Sequence, residues 1–221
     1  VIVRAVADAG LKIELGGGIR SMEDIRAVFD LGVWRVVIGS AAVTDPNFVR
    51  AAIEACGTER VAVGIDAKNG SVRTAGWVED AGLHYLDFAR SVEALGVRHL
   101  IFTDIDTDGT LAGPACGRLA ELKEAVSCQI TASGGVSSNA DLRALRNMEL
   151  YAAIVGKAWY AGAVDLRQAV DVLRQGPERL EEFDDALFAE LVTQIIVSPT
   201  ALCFRLKGGF EVTERLREGE R

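Results

Sequence analysis

The sequence predicts an α/β fold in which a parallel sheet is covered by crossover helices. Two observations predict it. Six apolar, β-branched runs alternate with longer segments of helical period. One unit of strand, Gly-Gly, helix, strand and Gly also occurs twice. With 221 residues, 49% of them apolar, the chain is long enough to enclose a sizeable core.

The chain opens on VIVRAVADAG, a helix-like pattern. The first strand is expected at residues 12–15, and a helix at 22–31 follows, where Ser21 stands as N-cap ahead of Glu23 and Asp24. The run RVVI gives a strand at 35–38. Asp45-Pro46 then places a cap residue before an N1 proline and starts a helix at 46–55. Strands at 61–65, 99–103, 129–132 and 152–155 alternate with helices at 85–95, 117–126, 139–147 and 166–174. At Gln175-Gly176-Pro177 the alternation stops, so a boundary falls at about residue 177. The first domain covers 1–176. The tail, 177–221, reads as an acidic helix over 178–195 and then one or two antiparallel strands joined at Lys207-Gly208-Gly209.

Charge and rare residues narrow the function classes. The 24 basic and 32 acidic side chains leave a net charge of −8 with no Lys/Arg cluster, so nucleic acid is not expected as a partner. Two histidines, His84 and His99, do not suffice for a multi-histidine metal site or a Ser/His/Asp triad, which leaves acid–base chemistry to carboxylates, and no metal is expected. Both histidines fall away from the strand ends that would form a site. The four cysteines lack CxxC spacing, a pattern that fits a reducing, cytoplasmic protein. No apolar run has the length of a membrane span, and no signal-peptide pattern is present.

The repeat points to a ligand. GGIRSMEDIRAVFDLGVWRVVIGSA, from Gly17, matches GGVSSNADLRALRNMELYAAIVGKA, from Gly134, without a gap. Gly17, Gly18, Ser21, Asp24, Arg26, Ala27, Gly39 and Ala41 recur at the corresponding positions. Glycines at the carboxyl ends of parallel strands let backbone N–H groups approach an anion, and the next helix directs its positive end to the same place. Gly17, Gly18, Gly39 and Ser40 thus form one candidate phosphate cradle, and Gly134, Gly135, Gly156 and Lys157 a second. Tight βα turns without a ligand are the alternative use of such glycines. Two cradles suit a substrate with a phosphate at each end.

ELGGGIRSMEDIRAVFDLGVWRVVIGSAAV, VAVGIDAKNGSVRTAGW, FTDIDTDGTLAGP, ASGGVSS and AIVGKAWY, in this order, resemble the phosphoribosylformimino-aminoimidazole carboxamide ribotide isomerases of histidine biosynthesis over about residues 1–175. The resemblance implies a (βα)8 TIM-type barrel made of two related halves and a substrate with two phosphates. It implies an Amadori rearrangement of an aminoaldose to an aminoketose by acid–base catalysis, with no cofactor. It makes Asp108 the general acid. Asp66, at a strand end, is a further candidate, as is Asp104, whose alternative role is to orient its loop; Asp106 is expected to be a solvated loop charge. Arg20 is placed to contact the substrate, and Trp77 to stack on its imidazole ring. A single substrate is expected, because Ala75 and Gly76 precede Trp77 where a dual-substrate variant has an additional arginine.

Two departures from the family pattern bear on activity. Aligned with the family, Val1 falls in the second helix, so six of the eight barrel strands are expected, without the first-strand aspartate that serves as general base in the family. A barrel that binds phosphates without turnover is therefore the alternative expectation. The family is usually monomeric, and unpaired strand edges would favour association. The tail, at about 184–215, is similar to the carboxyl-terminal end of large serine recombinases, over a segment that includes none of their catalytic parts.

Overall fold

The computed structural model describes residues 2–174, 192–197, 201–206 and 211–215. The chain divides into two compact units, Val1–Arg174 and Gln175–Arg221.

In the first unit a short helix α1 (Ile2–Asp8) precedes β1 (Glu14–Gly16), α2 (Met22–Asp30) and β2 (Arg35–Ile38). The chain continues through α3 (Ser40–Thr44), α4 (Pro46–Cys56), β3 (Val61–Lys68), β4 (Ser71–Thr74), β5 (Glu79–His84), α5 (Tyr85–Ala94) and β6 (His99–Asp104). It closes with α6 (Cys116–Ala125), β7 (Gln129–Ser133), α7 (Asn139–Asn147), β8 (Ala152–Ala153), α8 (Lys157–Tyr160) and α9 (Leu166–Arg174). Strands β1, β2, β3, β6, β7 and β8 lie side by side in that order, and every neighbouring pair is parallel. This is the architecture of a (βα)8 barrel, with six of its strands among the described residues. All six expected strands and all six expected helices form, with ends shifted by up to three residues.

Strand parity separates core from interior. In β6, Leu100 and Phe102 are fully buried toward the helices, whereas Ile101 and Thr103 line a cavity inside the sheet. Val36, Ile38, Val61, Val63, Ile65, Leu100 and Phe102 form the layer on which Ile25, Val49, Ala52, Ala89, Val92, Leu119 and Leu122 of the helices pack. The hairpin β4–β5 was not expected: β3 runs three residues beyond its predicted end, and β4 pairs antiparallel with it at Ala67↔Val72.

The start of the sheet is tied by charge. Arg35, 1% exposed, donates from Nη1 to Glu14 Oε1 at 2.7 Å and from Nε to the Glu59 carbonyl at 2.8 Å. His99 Nε2 lies 3.1 Å from both Arg35 Nη2 and Glu59 Oε2, so it can accept from one or donate to the other. Burial, then the neighbouring guanidinium, hold the His99 ring below the usual histidine range against the pull of Glu59. His84 caps α5, accepting from the Leu86 N–H. Both histidines thus have structural surroundings.

The cysteine thiols of Cys56, Cys116 and Cys128 are free. Cys128 is buried, and that burial raises its thiol to about 12, so it packs as an inert apolar group. Among the described residues no helix is long and apolar enough to cross a membrane.

In the second unit β9 (Val192–Val197), β10 (Ala201–Leu206) and β11 (Glu211–Arg215) form an antiparallel sheet in the order β11-β10-β9. Among the described residues three strands stand where one or two were expected, because β9 begins inside the run read as helix. Residues 178–191 of that expected helix, and the turn at Lys207-Gly208-Gly209, lie outside the described residues.

Candidate active site

The repeated unit is repeated in its hydrogen bonds. Ser21 Oγ accepts from Asp24 N at 3.1 Å, and Asp24 Oδ2 accepts from Arg20 N at 2.9 Å. In the second copy Ser138 Oγ accepts from Asp141 N at 3.3 Å, and Asp141 Oδ2 accepts from Ser137 N at 2.8 Å. Each helix therefore starts on a serine cap whose third residue turns back to hold the incoming chain. The Arg20 N–H is the main reason that the Asp24 carboxyl is lowered from the ordinary aspartate range. Gly39 and Gly156 also share one backbone shape, with φ of −97° and −106°.

The two copies differ in what lies above their glycines. Gly17 and Gly18 have φ of +89° and +80°, are exposed, and have no atom within 4 Å of where a Cβ would stand. Gly134 and Gly135 have the same left-handed backbone but are buried. A Cβ on Gly134 would lie 2.7 Å from Asp104 O, and one on Gly135 would overlap Gly113 O. The loop after β6 fills this second copy, with Gly113 N donating to Gly135 O at 3.0 Å. The first cradle is open, and at the second the glycines make room for protein backbone.

A cavity of 660 Å³ opens at the first cradle. Gly17, Gly18, Arg20, Gly39, Ser40 and Asp66 line it. That size suits a small-molecule ligand. Thr103 and Arg73 share the wall and were not singled out from sequence. Parity would have found Thr103, which stands on the inward face with His99 and Ile101. Arg73 sits across the hairpin from Asp80, to which Nη2 is paired at 2.9 Å.

Asp66 lies within β3 and not at its end, and its Oδ2 accepts from Trp77 Nε1 at 2.8 Å. Trp77, in the turn between β4 and β5, has φ of +74°, and Ala75 in the same turn has +51°. This turn is also joined to the cradle, since Ala75 N donates to Ser40 Oγ at 3.0 Å.

Asp104, Asp106 and Asp108 have different surroundings. Asp104, 2% exposed, faces away from the cavity and is paired with Arg118 Nη1 at 2.6 Å. Asp106 is not merely solvated: its Oδ2 accepts from Asn69 N at 2.9 Å and meets Arg118 Nη1 at 3.1 Å. The Asn69 N–H, then the Arg118 guanidinium, lower its carboxyl from the ordinary range. Asp108 is exposed on the loop, outside the wall that contains Asp66. Lys157 Nζ donates to the carbonyl of the next residue, Gly109, at 2.6 Å, which joins the second copy to the Asp108 loop.

The model of the family described as "Histidine biosynthesis protein" matches residues 1–165. The chain belongs to that family. Among similar proteins, one from Listeria monocytogenes serotype 4a is 48% identical over 172 residues, covering 78% of this chain and 71% of that protein. One from Clostridium novyi is 44% identical over 170 residues, covering 77% and 71%. One from Clostridium botulinum strain Okra is 41% identical over 179 residues, covering 81% and 74%. All three are named as isomerases of a phosphoribosyl imidazole-4-carboxamide that carries a second phosphoribosylamino group. As a member of the histidine biosynthesis family, the chain carries both glycine pairs, the β4–β5 turn and the Asp108 loop within the residues that match.

Proposed function

We propose that this chain catalyses the isomerisation for which its relatives are named, an Amadori rearrangement that opens a ribosylamine ring and converts the aminoaldose to the aminoketose. The cavity carries the reading: an open, glycine-lined cradle shares one wall with a carboxylate, Asp66, that is held in place by an indole N–H. One phosphate binds at Gly17, Gly18, Gly39 and Ser40, with Arg20 beside it. Because the loop fills the space above Gly134 and Gly135, the second phosphate is left the edge formed by Gly156 and Lys157.

The chemistry is a sequence of proton transfers. A proton delivered to the ring oxygen breaks the bond from C1 to that oxygen, and the nitrogen lone pair forms the imine. A base then removes the proton from C2 to give an enaminol, C1 takes up a proton, and loss of the C2 hydroxyl proton leaves the ketone. Asp108 is the acid of the first step, with Asp66 a carboxylate available inside the cavity and Trp77 the ring that stacks on the imidazole. No step calls for a metal or an organic cofactor.

One observation favours a second reading, binding without turnover: Asp108 stands outside the wall that contains Asp66. The isomerisation, followed by the absorbance change of the substrate, separates the two. Turnover that falls by about 10²–10⁴-fold in Asp108→Asn, with substrate affinity by calorimetry unchanged, supports the isomerase. Binding without turnover in the unaltered chain selects the second reading, and absence of both refutes each.

A further inference from the structure

We propose that Arg118 is the positioning residue for the loop that carries Asp108. The inference rests on the isomerase reading only for what the loop does, since how the loop is held is a matter of geometry. Asp108 has no side-chain hydrogen bond among the described residues, so its place is inherited from its neighbours. Its N–H donates to Asp104 O at 2.9 Å. Asp104 O also accepts from Thr107 Oγ1 at 3.2 Å, and Asp104 Oδ1 accepts from Asp106 N at 3.0 Å. One residue at the end of β6 thus holds three of the next four, Asp106, Thr107 and Asp108.

That residue is a carboxylate with 2% of its side chain exposed, a placement that needs a counter-charge. Arg118, in the first turn of α6, supplies it at 2.6 Å, and the same nitrogen, Nη1, reaches Asp106 Oδ2 at 3.1 Å. Asp106 passes the constraint on to the β3–β4 turn through Asn69 N. One guanidinium nitrogen therefore joins the end of β6, the Asp108 loop and the turn that follows the Asp66 strand. Lys157 secures the far side of the loop at Gly109 O. Both contacts of Arg118 converge on a single nitrogen, so a lysine ammonium can reproduce them. A bidentate pair would not allow this exchange.

The test is backbone hydrogen exchange on the full chain, combined with turnover. In Arg118→Met the amides of Asn69, Asp106 and Asp108 exchange at least ten times faster, while Leu100, Phe102 and Ile130 in β6 and β7 keep their rates. Arg118→Lys brings the loop amides back to within about threefold of the unaltered chain. Where the unaltered chain turns over, Arg118→Met lowers kcat at least tenfold with KM within about twofold, and Arg118→Lys restores it. Unchanged loop exchange in Arg118→Met overturns the proposal, and so does acceleration spread evenly through β6 and β7. If Arg118→Met does not fold, Asp106→Asn decides: faster exchange confined to Asn69 and Asp106 supports the proposal, and unchanged exchange overturns it. An unaltered chain that does not turn over refutes the isomerase reading and leaves the exchange result to decide the role of Arg118.

Discussion

Gly18→Ala and Gly135→Ala change the same position of the two repeats, at φ of +80° and +81°, yet their costs should differ severalfold. At Gly18 a Cβ meets nothing within 4 Å, so only the left-handed backbone is penalised, at about 1–2 kcal/mol. At Gly135 the same backbone term applies. The Cβ would in addition overlap Gly113 O and stand 2.8 Å from the Gly113 carbonyl carbon and 3.0 Å from Thr107 Cβ. These are two backbone atoms and the root of a side chain, so the loop has to shift, which adds about 1–3 kcal/mol of overpacking. The hydrogen bond from Gly113 N to Gly135 O is then strained as well, for about 1 kcal/mol more. Urea unfolding should therefore separate the two variants by roughly 2–4 kcal/mol, and at about 2–4 °C per kcal/mol the melting temperatures should differ by roughly 4–16 °C. Ligand protection should show the opposite order, with Gly18→Ala losing more of the stabilisation given by a bisphosphorylated ligand. Equal destabilisation by the two substitutions would refute the argument that one glycine pair is open and the other filled by backbone.

Two further outcomes concern stability. The lowered His99 pKa means that the unfolded chain takes up a proton at higher pH than the folded one. Stability should thus be full above about pH 6.5, fall by up to about 1.4 kcal/mol per pH unit below it, and level off once the folded ring protonates. Arg35, Glu59, Glu14 and the Tyr151 ring are the groups around it, and His99→Gln should flatten urea midpoints measured between pH 5 and 7; an unchanged slope would count against His99 as the source. Ser21→Ala and Ser138→Ala should each cost about 1 kcal/mol in urea unfolding, and the double variant about 2, because the two caps serve separate helices; a double variant no worse than either single one would contradict this.

The barrel elements were legible in the sequence because period and caps agreed. Asp45 with Pro46, and Ser21 ahead of Glu23 and Asp24, mark helix starts that the structure places within one residue. The β4–β5 hairpin was not legible. Its second strand, EDAGLH, has a glycine at its centre and no β-branched residue, and its turn puts Ala75 and Trp77 at positive φ, where a turn signal would call for Gly or Asn. Local sequence also could not distinguish the two glycine pairs. Gly17-Gly18 and Gly134-Gly135 look alike, and the difference is made by Gly113, more than twenty residues upstream of the second pair. Arg118 was invisible for a similar reason: on a helix of ordinary pattern an arginine reads as a solvated side chain until the buried Asp104 is placed beside it.

The filled second repeat bears on how the family can vary in length. Surface loops ordinarily accept insertions and deletions. The stretch from 105 to 113 is fastened at Asp104, at Asp106, at Gly109 and at Gly113, the last against Gly135 O. One residue more or fewer would set every later fastening out of step with its partner. Length in this stretch is therefore fixed by its neighbours, while the turn after Thr74, tied among the described residues through Ala75 N and Trp77 Nε1, is where the chain has freedom to lengthen and acquire new ligand contacts.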